Sequence, residues 1–383
     1  MANPIYTAMG TSIFEEMSHA ARTTGSINLG QGFPDADGPL DIRQAAAEAL
    51  LTRSNQYPSM LGLPELRQAV ADHYRQYQAL DLGPEHVLVT SGATEAIAAS
   101  LLALIQPGDE VLLIQPMYDA YQPLVERAGG IARFARLDPP GWRLTREAIE
   151  AAITPATRII LLNNPLNPAA RAFEREELET LAQICVAHDL IAICDEVWEH
   201  VLFDGRPHVP LIALPGMAER TVKIGSAGKI FSLTGWKVGF VIAAPDLHAV
   251  IARAHQFLTF TTPPALQIAV AYGLAKPPDH FAAMRAGYQR SRDRLTQALV
   301  DGGYAVLPSD GTYFLNVDLR ASGIDEPDRL FCMRLVEEHK VASIPLSPFY
   351  AEHPVDHLVR LCFAKSDETL DEAARRLITG RRR

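Results

Sequence analysis

Between about residues 85 and 275, short apolar runs alternate with longer amphipathic stretches, and no other feature restricts the fold as much. His86-Val-Leu-Val-Thr-Ser91 reads as a strand, and Ala93 to Ile105 as a helix closed by Pro107-Gly108. Glu110-Val-Leu-Leu-Ile114, Arg158-Ile-Ile-Leu-Leu-Asn163 and Leu190-Ile-Ala-Ile-Cys194 read as further strands, with helices predicted through Tyr118 to Ala128 and Glu174 to His188. Thr221-Val-Lys-Ile-Gly225 and Val238-Gly-Phe-Val-Ile242 follow. These runs are largely apolar on both faces, as strands of a buried parallel sheet are. The expected class is α/β, a mostly parallel sheet sandwiched by helices, with ligands beyond the carboxyl ends of the strands.

After about residue 276 the pattern changes. A long helix is predicted from Pro278 to Asp301, ending at Gly302-Gly303. Short strands follow at Tyr304 to Leu307, Thr312 to Asp318 and Leu358 to Phe363, then a closing helix. The expected organisation is a large domain over 30–275 and a smaller α+β domain over 276–383, with residues 1–29 packing on the latter. The 383 residues are enough for two such units.

Charge and composition exclude several classes. With 35 Lys+Arg against 45 Asp+Glu, the net charge of −10 argues against nucleic acid, which needs clustered cations. The basic end, Arg381 to Arg383, is short. No apolar run reaches the ~18 residues of a membrane span. Met1 to Gly10 lacks the charged start and apolar stretch of a signal peptide. Cys185, Cys194, Cys332 and Cys362 are scattered among apolar residues and read as reduced core thiols. A cytoplasmic enzyme is expected. Among the 12 histidines, His353-Pro-Val-Asp-His357 has a ligand-like spacing, but its proline opposes a regular helix, so no metal site is expected.

The most informative segment runs from Lys223 to Gly239: Lys-Ile-Gly-Ser-Ala-Gly-Lys-Ile-Phe-Ser-Leu-Thr-Gly-Trp-Lys-Val-Gly. Lys229 lies among small residues between two apolar strands, a confined setting that lowers an amine pKa and suits Schiff-base chemistry. Ser226 and Lys237 nearby suit a phosphate. A P-loop does not fit, since Lys223 replaces its first glycine and Ile230 follows the lysine. Ser226-x-x-Lys229 fits the motif of penicillin-binding enzymes, but no Ser-Asp-Asn or Lys-Thr-Gly accompanies it. Taken alone, the segment also reads as a glycine-rich turn with incidental lysines.

Other strand ends add to it. Asp195 follows the strand ending at Cys194, where a carboxylate suits the pyridinium nitrogen of pyridoxal phosphate. Ser91-Gly-Ala-Thr94 is a strand-to-helix turn whose backbone N–H groups suit a phosphate. Asn163-Asn-Pro-Leu-Asn-Pro168 follows another strand end. The order of phosphate turn, Asn-Pro loop, Asp and Ser-x-x-Lys is specific.

In that order of motifs, from about Leu29 to Lys365, the chain resembles the class I/II (fold type I) pyridoxal-phosphate aminotransferases. Ser226-Ala-Gly-Lys229, Thr234-Gly-Trp-Lys-Val-Gly239, Asn28-Leu-Gly-Gln-Gly-Phe-Pro34, Ile344-Pro-Leu-Ser347 and His357 to Lys365 are most similar to the kynurenine aminotransferase, glutamine transaminase K and methionine aminotransferase branch. The resemblance implies a three-layer α/β/α large domain beside the small one, and pyridoxal 5'-phosphate as cofactor. It implies that Lys229 carries the cofactor as a Schiff base and moves the substrate Cα proton, and that Asp195 pairs with the ring nitrogen. Ser226, Lys237, Gly92, Ala93 and Thr94 would hold the phosphate, and Tyr118 would lie against the ring. Asn167 would touch the ring oxygen and, with Arg360, fix the substrate carboxylate beside the Gly32 backbone. Tyr57 would reach the cofactor of a neighbouring subunit, making a homodimer the working unit. Phe14, Phe257 and Phe260 would line the substrate pocket, or pack in the core or interface.

Two departures from the family stand out. Its usual Asn-Pro-Thr-Gly is Asn167-Pro-Ala-Ala170 here, and its Asp-x-x-Tyr is Asp195-Glu-Val-Trp198. An indole offers one N–H and cannot copy a phenol, so Trp198 either turns that N–H to the ring oxygen or packs elsewhere. The resemblance implies transfer from a neutral aromatic, methionine-like or glutamine-like amino acid to a 2-oxo acid. The alternatives are a cysteine-conjugate β-lyase and an aminotransferase for a dicarboxylic substrate such as N-succinyl-diaminopimelate.

Overall fold

A computed structural model describes residues 2–381. Its centre is a seven-stranded sheet in the order Val87–Thr90, Gly239–Ala243, Thr221–Ser226, Ile191–Asp195, Thr157–Asn163, Glu110–Gln115, Ile131–Arg136. Four of these strands, Val87–Thr90, Glu110–Gln115, Thr221–Ser226 and Gly239–Ala243, are buried at every residue, because helices cover both faces. The chain is thus an α/β protein with a mostly parallel sheet.

Two features of this sheet differ from the sequence reading. Gly239–Ala243 runs antiparallel to both of its neighbours. Residues 227–238 form only a one-turn helix and a short 3-10 turn, so the chain returns directly beside the strand it left and must reverse. The strand Ile131–Arg136 was not anticipated. It lies at one sheet edge and its first four residues alternate between exposed and half-buried, so it lacks the continuous buried run of its neighbours.

All the other strands point the same way. Residues 91–94, 116–118, 163–167, 195–198 and 226–229 therefore gather at one edge of the sheet, and Lys237 joins them just before the reversed strand.

A second, four-stranded antiparallel sheet has the order Ile344–Pro345, Leu358–Cys362, Phe314–Asp318, Ala305–Val306. The two-residue strand Ile344–Pro345 was too short to read from sequence. It pairs with Arg360 and so fixes the strand that carries this cation. Ile13, Met17 and Ala21 of the helix Ile13–Thr24 share an apolar cluster with Leu295, Phe331 and Leu377. The helix begins where the Ser12 hydroxyl accepts from Glu15 N–H at 3.3 Å, and ends on Gly25 at φ +63°. Among the described residues, no helix is long and apolar enough to cross a membrane.

Candidate active site

Lys229 sits in the one-turn helix Ala227–Ile230 that follows the strand Thr221–Ser226. Its backbone carbonyl accepts from the Tyr313 hydroxyl at 2.7 Å, so the turn is tied to the smaller sheet. Its Nζ donates to the Gly32 carbonyl at 3.2 Å and lies 4.6 Å from the centre of the Trp198 ring. Among the described residues, no carboxylate forms an ion pair with it. Burial therefore governs its titration and pulls its pKa down to about 8, against the opposing charge of Asp195.

Asp195 ends the neighbouring strand and is buried. Its Oδ2 accepts from the Tyr121 hydroxyl at 2.6 Å, and its backbone carbonyl accepts from Asn163 Nδ2 at 2.8 Å. Burial raises the carboxyl pKa, while the Tyr121 hydrogen bond favours the charged form.

Asn163 Oδ1 accepts from Asn167 N–H at 2.7 Å, and Asn167 Oδ1 accepts from Arg360 Nη1 at 2.8 Å. Arg360 Nη2 donates to the Gly30 carbonyl at 2.8 Å, and its guanidinium stacks 3.8 Å from the Phe314 ring centre. Arg360 is buried without an ion pair among the described residues, and desolvation lowers its pKa to about 10. Such a cation favours an incoming carboxylate.

The helix Ala93–Leu104 starts at the same edge. Its first intrahelical bond is Ala96 N–H to the Gly92 carbonyl, leaving earlier N–H groups without a helical partner. Gly92 has φ +79°, and a Cβ there would lie 3.3 Å from Lys237 Nζ. A Cβ on Gly239 would lie 2.6 Å from the Gly92 carbonyl carbon. Only glycines let Lys237 and the helix start approach so closely, and together they form an anion cradle.

Gly92, Ala93, Thr94, Tyr118, Asn167, Asp195, Trp198, Ser226, Lys229 and Lys237 line one cavity of about 260 Å³. A second cavity of about 380 Å³ adjoins it, sharing Tyr118, Asn167, Trp198, Lys229 and Thr234, and adds Phe14, Gly32 and Arg360. Gly32 leaves no room for a side chain, because a Cβ would come within 2.6 Å of the Phe314 ring. Tyr57, Phe257 and Phe260 line neither cavity. Tyr57 and Phe257 are 84% and 86% exposed, and Tyr57 meets Phe260 edge-on at 5.5 Å.

The sequence profile of the family described as Aminotransferase class I and II matches residues 24–377. The chain belongs to this family. It is 45% identical over 379 residues to a probable N-succinyldiaminopimelate aminotransferase DapC of Mycobacterium tuberculosis, covering 96% of this chain and 95% of the relative. It is 40% identical over 371 residues to the methionine aminotransferase of Escherichia coli, covering 96% of each. The solved structure of the N-succinyldiaminopimelate aminotransferase from Mycobacterium tuberculosis superposes with a TM-score of 0.96 at 44% identity, covering 99% of this chain and all of the other.

In this aminotransferase the two departures from the family pattern have a clear placement. Trp198 is buried, edge-on to Tyr313 at 4.7 Å and Phe314 at 5.6 Å, with its face toward Lys229. Ala170 adopts φ +60° and keeps a turn closed by its N–H to the Leu166 carbonyl at 2.8 Å. Tyr121 and Asp119 were not anticipated, and Asn163 and Thr234 stood in the motifs without a role of their own. The Tyr118-x-x-Tyr121 spacing was the available signal for the first. Beyond the cavities, buried Lys223 donates to both Glu196 and Glu199, the latter at 2.7 Å, and His208 lies 2.9 Å from Glu196. Lys223 supplies the positive charge between those carboxylates.

Proposed function

We propose that this aminotransferase uses pyridoxal 5'-phosphate to move an amino group from a neutral amino acid, such as a methionine-like, aromatic or glutamine-like one, to a 2-oxo acid. The donor set fits the cofactor. The glycine cradle beside Lys237 and the start of the helix Ala93–Leu104 suits its phosphate, with Thr94 and Ser226 on the same cavity wall. Asp195 suits its ring nitrogen, Tyr118 its face, Asn167 its ring oxygen and Lys229 its aldehyde. When bound, the cofactor supplies an electron sink for the charge left at the substrate Cα.

The observation that carries this reading is the grouping of three ionisable groups around one space: a lysine with no ion pair among the described residues, a buried carboxylate and a buried arginine. Arg360 and Asn167 take the substrate carboxylate and set the direction of the Cα–H bond. Lys229, with a pKa near 8, is partly uncharged at neutral pH and takes the Cα proton on Nζ as general base. The Tyr121 hydroxyl favours the ionised form of Asp195 against its burial, which suits a negative charge facing the ring nitrogen. Phe14 and Phe314 wall off water.

The neutral side-chain preference rests on the outer cavity, where Arg360 and Lys229 are the only cations in the lining. A second reading is a succinylated diamino acid as donor, favoured by the 45% identity to the probable N-succinyldiaminopimelate enzyme. We read the unit as a cytoplasmic homodimer, with the exposed aromatics Tyr57 and Phe257 and the half-exposed Phe260 on the shared face and Tyr57 serving the neighbouring site. The division into 30–275 and 276–383, with 1–29 on the latter, is part of the same reading. Borohydride reduction followed by peptide mass analysis tests the cofactor lysine, and a mass label on any other lysine defeats the assignment. A panel of amino acids with several 2-oxo acids tests the substrate, with pyruvate and ammonia read separately to detect β-lyase turnover. Highest kcat/KM with aspartate or a succinylated diamino acid defeats the neutral reading.

A further inference from the structure

Asp119 occupies the turn between the strand Glu110–Gln115 and the helix Tyr121–Arg127, half-buried, and lines the outer cavity with Arg360, Lys229 and Phe14. It is the only carboxylate in that lining. Among the described residues no ion pair or side-chain hydrogen bond holds it, and its oxygens lean on the backbone N–H groups of Asp119 and Ala120. Arg360 is the opposite charge in range.

We propose that Asp119 sets the side-chain specificity of this aminotransferase, accepting neutral side chains that donate a hydrogen bond and turning away side chains that end in a carboxylate. The inference rests on the aminotransfer reading above and adds the residue that enforces it. With the substrate carboxylate on Arg360 and its amine at Lys229, the substrate side chain fills what remains of the outer cavity. There the walls include Phe14, Phe33 and Phe314, and the one anionic group is the Asp119 carboxylate.

The substrate itself sharpens the effect. Before binding, Arg360 offsets the charge of Asp119. Once a substrate carboxylate takes up Arg360, that offset is gone, and a second carboxylate meets an uncompensated like charge in a partly desolvated space. An amide N–H in the same place finds an acceptor instead. Glutamine and glutamate have nearly the same shape, so their ratio isolates this term.

The experiment compares kcat/KM for glutamine and glutamate in the holoenzyme, in Asp119→Asn and in Asp119→Glu. Asp119→Asn is expected to lower the glutamine-to-glutamate ratio at least about tenfold, as removal of one like-charge contact does. Asp119→Glu, which keeps the charge, is expected to hold the original ratio within about threefold. Calorimetry gives a readout without turnover: glutarate should bind Asp119→Asn more tightly than the original holoenzyme, and its monoamide should gain less. An unchanged ratio and unchanged glutarate affinity overturn the proposal while leaving the aminotransferase reading intact. If the original enzyme itself prefers glutamate, the neutral-substrate reading falls, and the glutarate comparison alone decides Asp119. Should Asp119→Asn not fold, Asp119→Ser carries the same comparison, and the original holoenzyme must still bind the monoamide more tightly than glutarate.

Discussion

The Tyr121 hydroxyl donates to the Asp195 carboxylate at 2.6 Å, in a place where burial alone would favour the neutral acid. Burial and hydrogen bond thus oppose each other: burial raises the Asp195 pKa, and the bond limits the rise. Tyr121→Phe removes the donor and raises the Asp195 pKa further. The ionised form is then lost at higher pH, so the acid limb of the kcat/KM profile should move upward in pH. A hydrogen bond to a charged group contributes about 1.5–3 kcal/mol, so kcat should fall roughly tenfold to a hundredfold. An acid limb that stays in place would show that Asp195 is not the group titrating there.

Lys229 stands at the cost of stability in the cofactor-free protein. Its folded pKa of about 8 lies below the ~10.4 of an unfolded lysine. Between those values the unfolded chain holds the proton and the folded one does not, so stability rises with pH across that window. Below about pH 8 the folded protein bears the full penalty of a buried charge. Lys229→Met should therefore stabilise the cofactor-free protein at pH 7, by up to about 3 kcal/mol. The gain should shrink toward pH 10.5, as denaturant titrations at several pH values would show.

Lys223 makes the opposite case. It lies buried between Glu196 and Glu199, and the ion pairs hold the Glu199 pKa down at about 2 while raising that of Lys223. Lys223→Met would leave two buried carboxylates without their cation and should destabilise the fold by about 3–5 kcal/mol. In the original protein the Glu199 contribution is present above the unfolded value near 4.5 and is lost as pH falls toward 2. Acid unfolding monitored by circular dichroism should fall in that range.

Trp198 presents its face to Lys229 and packs edge-on against Tyr313 and Phe314. Replacing it by tyrosine restores a phenol able to donate to the ring oxygen of the cofactor. A donor to a charged oxygen favours the charged form, so the Lys229 linkage should lose its proton at lower pH in Trp198→Tyr. The yellow absorption of the substrate-free holoenzyme should fade earlier on raising the pH. Superimposed titrations would mean that the indole already donates as well as a phenol.

How far these features could be read from sequence depends on where each residue sits. Interior strands such as Glu110–Gln115 and Thr157–Asn163 are legible because covering both faces demands unbroken apolar runs. Ile131–Arg136 escapes, since an edge strand facing water admits polar residues, here Arg133 and Arg136, that break its apolar run. The reversed direction of Gly239–Ala243 leaves no mark in the apolar run itself, which carries no polarity; its signal is the short connection over 227–238. Lys229, Asp195 and Arg360 stand in distinctive local contexts. Tyr121 and Asp119 do not: their meaning comes from strand order, which sets the loop after Gln115 beside the ends of Asn163 and Asp195. Ala170 at φ +60° shows that a turn usually given to glycine can be held by its closing hydrogen bonds.

The reversed strand also acts as a ruler. Lys229 lies in the one-turn helix that follows the preceding strand and Lys237 lies just ahead of the reversed one, so the two amines are set by one short stretch of chain rather than by two independent loops. Any residue inserted between them would move one lysine against the other, or push Gly239 out of its contact with Gly92. The spacing between the group that grips and the group that reacts is therefore written into the length of a single connection, and this stretch can change its side chains far more freely than its length.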